Sequence, residues 1–181
     1  MKIGILGSTR GTSCKYLIEE SIKKDFNCKI EVIISNNKDA EIFDKARIGN
    51  IDFVYLSNEN YNEKLLKILK CYDLDYIFLI GYMKIIPKSI LDVYPGRIYN
   101  IHPSLLPKYK NMKDMNIHKL IIDNKDEFTG CTLHLVTEKV DEGDIILQKK
   151  IKVDTEYSTV LKNKVQKLES ELLVEFIKNI I

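Results

Sequence analysis

The chain has 181 residues, 45% of them hydrophobic and 30% charged, with 28 Lys and Arg against 26 Asp and Glu. That length suits one domain with a real core, and basic residues spread along the chain without a tract argue against a nucleic-acid surface. The start "MKIGILGSTRG" meets glycine too early for a signal peptide and no later apolar run is long enough for a membrane span, so the expectation is a cytosolic protein.

Cys14, Cys28, Cys71 and Cys131 are its four cysteines. None stands at C-x-x-C spacing, which argues against zinc and dithiol redox sites and for free thiols. The expected metal content is none.

In chain order, "KIGILG" reads as a short strand, and the helix "TSCKYLIEESIKK" follows with Leu17, Ile18 and Ile22 at helical spacing. "KIEVIIS" is a buried strand and "DAEIFDKARIG" a helix closed by Gly49. "DFVYL" is a strand, and "NYNEKLLKILKCY" a helix with Tyr61, Leu65 and Ile68 on one stripe. "DYIFLIG" is the most apolar strand, suited to the centre of a parallel sheet covered on both faces. A short helix "KSILDVYP" leads to a fifth strand, "RIYNIH". Then come a helix around "NIHKLIIDN", strands "TGCTLHLVT" and "DIILQKKIKV", and a long last helix, "EYSTVLKNKVQKLESELLVEFIKNI". The alternation predicts an α/β fold with an open, doubly wound, mostly parallel sheet, in one domain over residues 1–181.

Such a sheet binds ligands beyond the C-terminal ends of its strands. At the first end, "GSTRGTS", Gly7 and Gly11 flank a turn, and Thr12 and Ser13 open the helix. That is either an anion site or a plain turn with a Thr or Ser cap. At the fifth, alternation puts Asn100 and His102 on one face about 6.6 Å apart. Pro103 ends the ladder, leaving His102 at the lip. There an imidazole serves as acid or base and an amide can donate to a developing oxyanion. The turn "VTEKVDEGDII" offers Glu138, Asp141, Glu142 and Asp144, one of which could face His102; spacing does not choose among them. His134 shares a face with Thr132 and Val136, either as a sheet histidine or as part of the site, and His118 lies on a polar-flanked helix. In "GYMKII", Met83 and the isoleucines could wall an apolar pocket.

Together, "NIHPSLLPKY" and "GCTLHLVTEKVDEGDIILQ" resemble the formyltetrahydrofolate-dependent formyltransferase family, and the resemblance runs from Lys2 into the last helix. It implies a Rossmann-like formyltransferase fold and, for residues 1–100 and 101–181, a nucleotide-binding half and a folate-binding, catalytic half. It also implies formyl transfer from 10-formyltetrahydrofolate, as co-substrate and without a metal, to the amine of glycinamide ribonucleotide in purine biosynthesis. The catalytic residues it implies are Asn100, His102 and Asp141, with Asp141 chosen by the motif. On the ribonucleotide side it implies Gly11, Thr12, Ser13, Pro103, Gln166 and Glu169. The folate side would be Met83, Lys84, Ile85, Ile86, Thr137, Val140 and Asp141, with Thr132, His134 and His118 behind the site.

Three features depart from the family pattern. "GTS" stands for the usual Gly-Ser-Asn, "KNMKDMNIH" lacks the usual glycine, and "LSNENYN" lacks a folate-side arginine. Rival readings are an amino sugar nucleotide or methionyl-tRNA as acceptor, a formylfolate hydrolase, and a non-catalytic folate-binding relative. The tRNA enzyme and the hydrolase are expected to carry a further domain, so the length favours the ribonucleotide reading.

Overall fold

The computed structural model describes residues 1–23, 26–112 and 114–180. Lys24, at the end of the expected first helix, and Lys113, in the glycine-free loop, lie outside them. Five strands, β1 (Lys2–Leu6), β2 (Lys29–Ser35), β3 (Asp52–Tyr55), β4 (Tyr76–Ile80) and β5 (Ile98–His102), run parallel. Then β6 (Phe128–Leu135) pairs antiparallel with β5, and β7 (Ile145–Lys152) antiparallel with β6. The sheet order is β3-β2-β1-β4-β5-β6-β7, so strand order reverses between β1 and β4. The open, mostly parallel sheet expected from the alternation is present. Residues 100 and 101, where the two expected halves meet, both lie in β5.

The two faces of the sheet carry separate cores. On one, Ile77, Leu79 and Ile98 pack with Leu65 and Leu69 of α3 (Tyr61–Cys71) and Ile90 of α4 (Lys88–Leu91). On the other, Ile5, Ile33, Phe78 and Tyr99 pack with Leu17 of α1 (Lys15–Ser21), Phe43 of α2 (Ile42–Ile48) and Phe176 of α6 (Ser158–Asn179). The unbroken apolar run of β4 follows from this, because alternate residues face different cores and both need side chains without polar atoms. The edges differ. On β3, Phe53 packs tilted against Phe43 with ring centroids 5.2 Å apart and is covered by Arg47, while β7 carries Lys149, Lys150 and Lys152 in its second half.

One local expectation is corrected. The first helix is shorter than expected: Thr12–Cys14 form a 3₁₀ turn, α1 begins at Lys15, and neither Thr12 nor Ser13 caps it. Ser13 instead donates its hydroxyl to Glu169, so the loop is tied to α6 rather than to its own helix. Gly49 closes α2 as expected, in a right-handed conformation with φ −81°, and the left-handed residue is Asn50 at φ 50°. Glycine at 49 answers close packing: a Cβ there would sit 2.6 Å from a methyl of Ile18 and 2.9 Å from Ile51.

Glu169 breaks the apolar stripe of α6 between Val165 and Leu172, and it is 5% exposed. A carboxylate buried so far needs hydrogen-bond partners, and Ser13 is one of them. Ser170 adds a second tie, donating to the Ser13 carbonyl at 2.8 Å. The glycine-bearing loop after β1 therefore rests on the C-terminal helix. No helix among the described residues is long and apolar enough to cross a membrane.

Candidate active site

A cavity of about 450 Å³ opens at the C-terminal ends of β4 and β5. One wall is the segment after β4, with Met83, Lys84, Ile85 and Ile86; the opposite wall is the turn Thr137, Lys139, Val140 and Asp141. Asn100, His102, Pro103 and His134 also line it. Three groups that sequence reasoning assembled from distant stretches thus meet in one hollow.

The strand register explains the polar cluster. Asn100 stands opposite His134, and His102 opposite Thr132, across the antiparallel pair β5–β6. Alternation then puts all four on one sheet face. Asn100 Nδ2 lies 2.9 Å from His134 Nε2, and His134 Nδ1 lies 3.0 Å from the Leu135 carbonyl. A carbonyl only accepts, so Nδ1 carries a hydrogen, while Nε2 faces both the Asn100 amide and the Asp141 carboxylate. His134 thereby fixes which way that amide points. Asn100 lines the cavity, and its amide nitrogen carries two hydrogens.

His102 is 4% exposed, with Nδ1 3.5 Å from Asp141 Oδ2 and Nε2 3.1 Å from the Tyr109 carbonyl. Both ring nitrogens face acceptors, an arrangement that suits the doubly protonated ring. Asp141 sits between the two histidines, its Oδ1 3.5 Å from His134 Nε2, and takes the Asn111 backbone N–H at 2.8 Å. Burial pushes its carboxyl up, but the His134 and His102 rings and the Asn111 N–H outweigh burial and hold it below the usual carboxylate range.

Structure also selects among the four acids of the turn. Asp141 adopts a left-handed φ of 56°, which an Asp tolerates, and this turns its side chain inward. Glu142 pairs outward with Lys110 at 2.8 Å, and Glu138 lies 3.5 Å from Lys88. The next residue has to be glycine, since a Cβ at Gly143 would lie 1.8 Å from the Leu135 carbonyl oxygen.

Thr132 stands behind His102 and lies outside the cavity lining. It is fully buried; its hydroxyl donates to the Ser104 carbonyl (2.7 Å) and accepts from Leu106 N–H (3.0 Å) and Gln148 Nε2 (2.8 Å). It holds the bend that begins at Pro103. Thr132→Val leaves a carbonyl and an N–H of that bend without partners and should cost about 2–4 kcal/mol, read by urea unfolding. His118 is buried on α5 (Asp114–Asp123) and does not line the cavity.

Gly11, Thr12, Ser13, Gln166 and Glu169 are also outside the cavity lining. Gly11 has φ 64°, Thr12 is exposed, Gln166 is half-buried, and Ser13 and Glu169 face each other beneath the loop. The two loops at the switch point are joined by Ser8, whose N–H donates to the Gly81 carbonyl (3.1 Å) and whose Oγ accepts from Met83 N–H (2.9 Å). Sequence reasoning missed Ser8, Tyr109, Asn111 and Gln148. Three of these act through backbone atoms or by accepting from backbone, which residue type does not announce. Only Gln148, a polar residue in the run "IILQ", left a trace.

An open, mostly parallel sheet with a cavity at its carboxyl edge, and an amide, an imidazole and a carboxylate gathered there, defines an enzyme equipped for transfer at a carbonyl carbon. The formyl transferase family model matches residues 1–177, and the chain belongs to that family. Phosphoribosylglycinamide formyltransferase of Haemophilus influenzae is 35% identical over 163 residues, covering 87% of this chain and 76% of that protein. The Escherichia coli protein of the same name is 33% identical over 159 residues, covering 84% of this chain and 74% of that one. Among solved structures, glycinamide ribonucleotide transformylase 1 from Symbiobacterium toebii superposes with a TM-score of 0.91 at 29% identity. That match covers 98% of this chain and 85% of the other.

Proposed function

We propose that this chain transfers the formyl group of 10-formyltetrahydrofolate to the primary amine of glycinamide ribonucleotide. The observation that carries the reading is the convergence of Asn100, His102 and Asp141 in a cavity also lined by the apolar side chains of Met83, Ile85, Ile86 and Val140. The relatives named above bear that activity in their names, and it is consistent with the site chemistry.

In this reading the neutral amine attacks the formyl carbon, and the carbonyl electron pair moves onto oxygen. The Asn100 amide donates its second hydrogen to that oxyanion, and the His102 imidazolium offsets its charge. The C–N10 bond of the folate then breaks, N10 takes up a proton, and the new amide nitrogen gives one up. Asp141 keeps the imidazolium in place and charged throughout. Met83, Ile85, Ile86 and Val140 give the flat folate apolar contact, with Lys84 and Thr137 at the margins. Gly11, Thr12, Gln166 and Pro103 are assigned to the ribonucleotide side. Ser13 and Glu169 would support that loop from beneath, since their mutual hydrogen bond already occupies them.

The test is the absorbance change on conversion of 10-formyltetrahydrofolate to tetrahydrofolate, with and without glycinamide ribonucleotide. Turnover is expected only with the nucleotide. Turnover without it would make the chain a hydrolase, and turnover only with an amino sugar nucleotide would replace the acceptor.

A further inference from the structure

We propose that Asp126, which lies outside the active-site cavity, is a positioning residue for His102 and acts on it through Tyr109. The kinetic consequence rests on the formyl-transfer reading; the structural one does not.

The Tyr109 carbonyl meets His102 Nε2 at 3.1 Å. Tyr109 belongs to the irregular connection between β5 and α5, where no strand ladder or helix holds the backbone. Its nearby turn bonds are long, Lys108 N–H to the Leu105 carbonyl at 3.3 Å and Lys110 N–H to the Pro107 carbonyl at 3.4 Å. The short bonds are made by side chains. The Tyr109 phenol donates to Asp126 Oδ2 at 2.7 Å and accepts from Asn124 Nδ2 at 3.0 Å. Lys108 Nζ reaches the other oxygen, Oδ1, at 2.6 Å. Both oxygens of one carboxylate are thus spent on two consecutive residues of the loop.

Asp126 is itself well placed to act as an anchor. Its N–H donates to the Ile121 carbonyl at 3.1 Å, closing the end of α5 after left-handed Lys125, and β6 starts two residues later. Its side chain is 10% exposed. Burial pushes the carboxyl up, but Lys108 and Tyr109 outweigh that and hold it below the usual range, so it stays ionised. Asp126, Lys108 and Tyr109 line a separate hollow. The loop is therefore clamped twice, by Asp126 on its outer side and by Asp141 through Asn111 on its inner side, with the His102 ring between. Removing the outer clamp frees the carbonyl that sets the ring, and a ring off by a fraction of an ångström transfers poorly.

Tyr109→Phe keeps the backbone carbonyl and the ring packing but removes the phenol. It should lower kcat about 10- to 100-fold while KM for both substrates stays within about twofold. Asp126→Ala should do the same, and Asp126→Asn, which still accepts from the phenol, should fall between it and the parent. Tyr109→Phe combined with Asp126→Ala should be no worse than the poorer single variant, because both cut one chain of contacts. Circular dichroism melting establishes that each variant is folded. Histidine side-chain ¹⁵N spectra, assigned with His102→Asn, should show the His102 Nε2 resonance displaced in Tyr109→Phe and Asp126→Ala, with His118 and His134 unmoved. An unmoved His102 resonance overturns the inference, and so does undiminished kcat in Tyr109→Phe. A parent inactive toward the chosen acceptor defeats the reading of function, while the His102 resonance still decides this one.

Discussion

His102→Asn should lower kcat for formyl transfer by about 10²–10⁴ while both substrates still bind. The side chain is only 4% exposed, and it stands between the Asp141 carboxylate and the Tyr109 carbonyl. An asparagine can keep one of those two contacts but can carry no charge, so the oxyanion loses its cationic neighbour and retains only the Asn100 hydrogen bond. Steady-state kinetics and calorimetric titration with each substrate separate the two effects. Full turnover in a variant that binds both would remove His102 from the chemistry.

Asp141→Asn is expected to have the second-largest effect, about 10²–10³ in kcat, because an amide neither holds the imidazolium nor maintains its charge. It also has a pH signature. The folded-state carboxyl is held below its ordinary value of 3.8, so ionised Asp141 contributes stability that is fully present above that value. That contribution is lost as pH falls below 3.8 and through the depressed folded value. The parent should therefore lead Asp141→Asn in unfolding free energy at neutral pH by a margin that shrinks below pH 4. Urea titrations at a series of pH values measure it. A margin independent of pH would mean that Asp141 is not ionised beside His102 and His134.

His102 is an imidazole with an acceptor at each nitrogen. Its inner acceptor belongs to the reaction cavity and its outer one to a loop anchored elsewhere. Loss of the first should remove charge, and loss of the second should remove placement. The two are distinguishable, because only the second leaves the Asp141 carboxylate, and with it the charge on the ring, in place.

Much of this is legible in the sequence. Alternating apolar runs dictate the parallel sheet, since a stretch covered on both faces, such as residues 77–80, has no room for polar side chains. A period of two puts Asn100 and His102 on one face, and Pro103 ends the strand there, because these are properties of neighbouring residues. The residues that complete the site were of another kind. Asp141 is one of four acids in a turn, and its inward direction comes from a left-handed backbone and from an N–H supplied 30 positions away in sequence by Asn111. Ser13 meets Glu169 across 156 positions, and the Asp126–Tyr109–His102 chain joins three elements through a phenol and a backbone carbonyl. Local sequence specifies periodicity and therefore which face a side chain takes. Which carboxylate faces which ring is a long-range contact, set only when β6, its turn and the loop after β5 close on one another, and that was left to the tertiary structure.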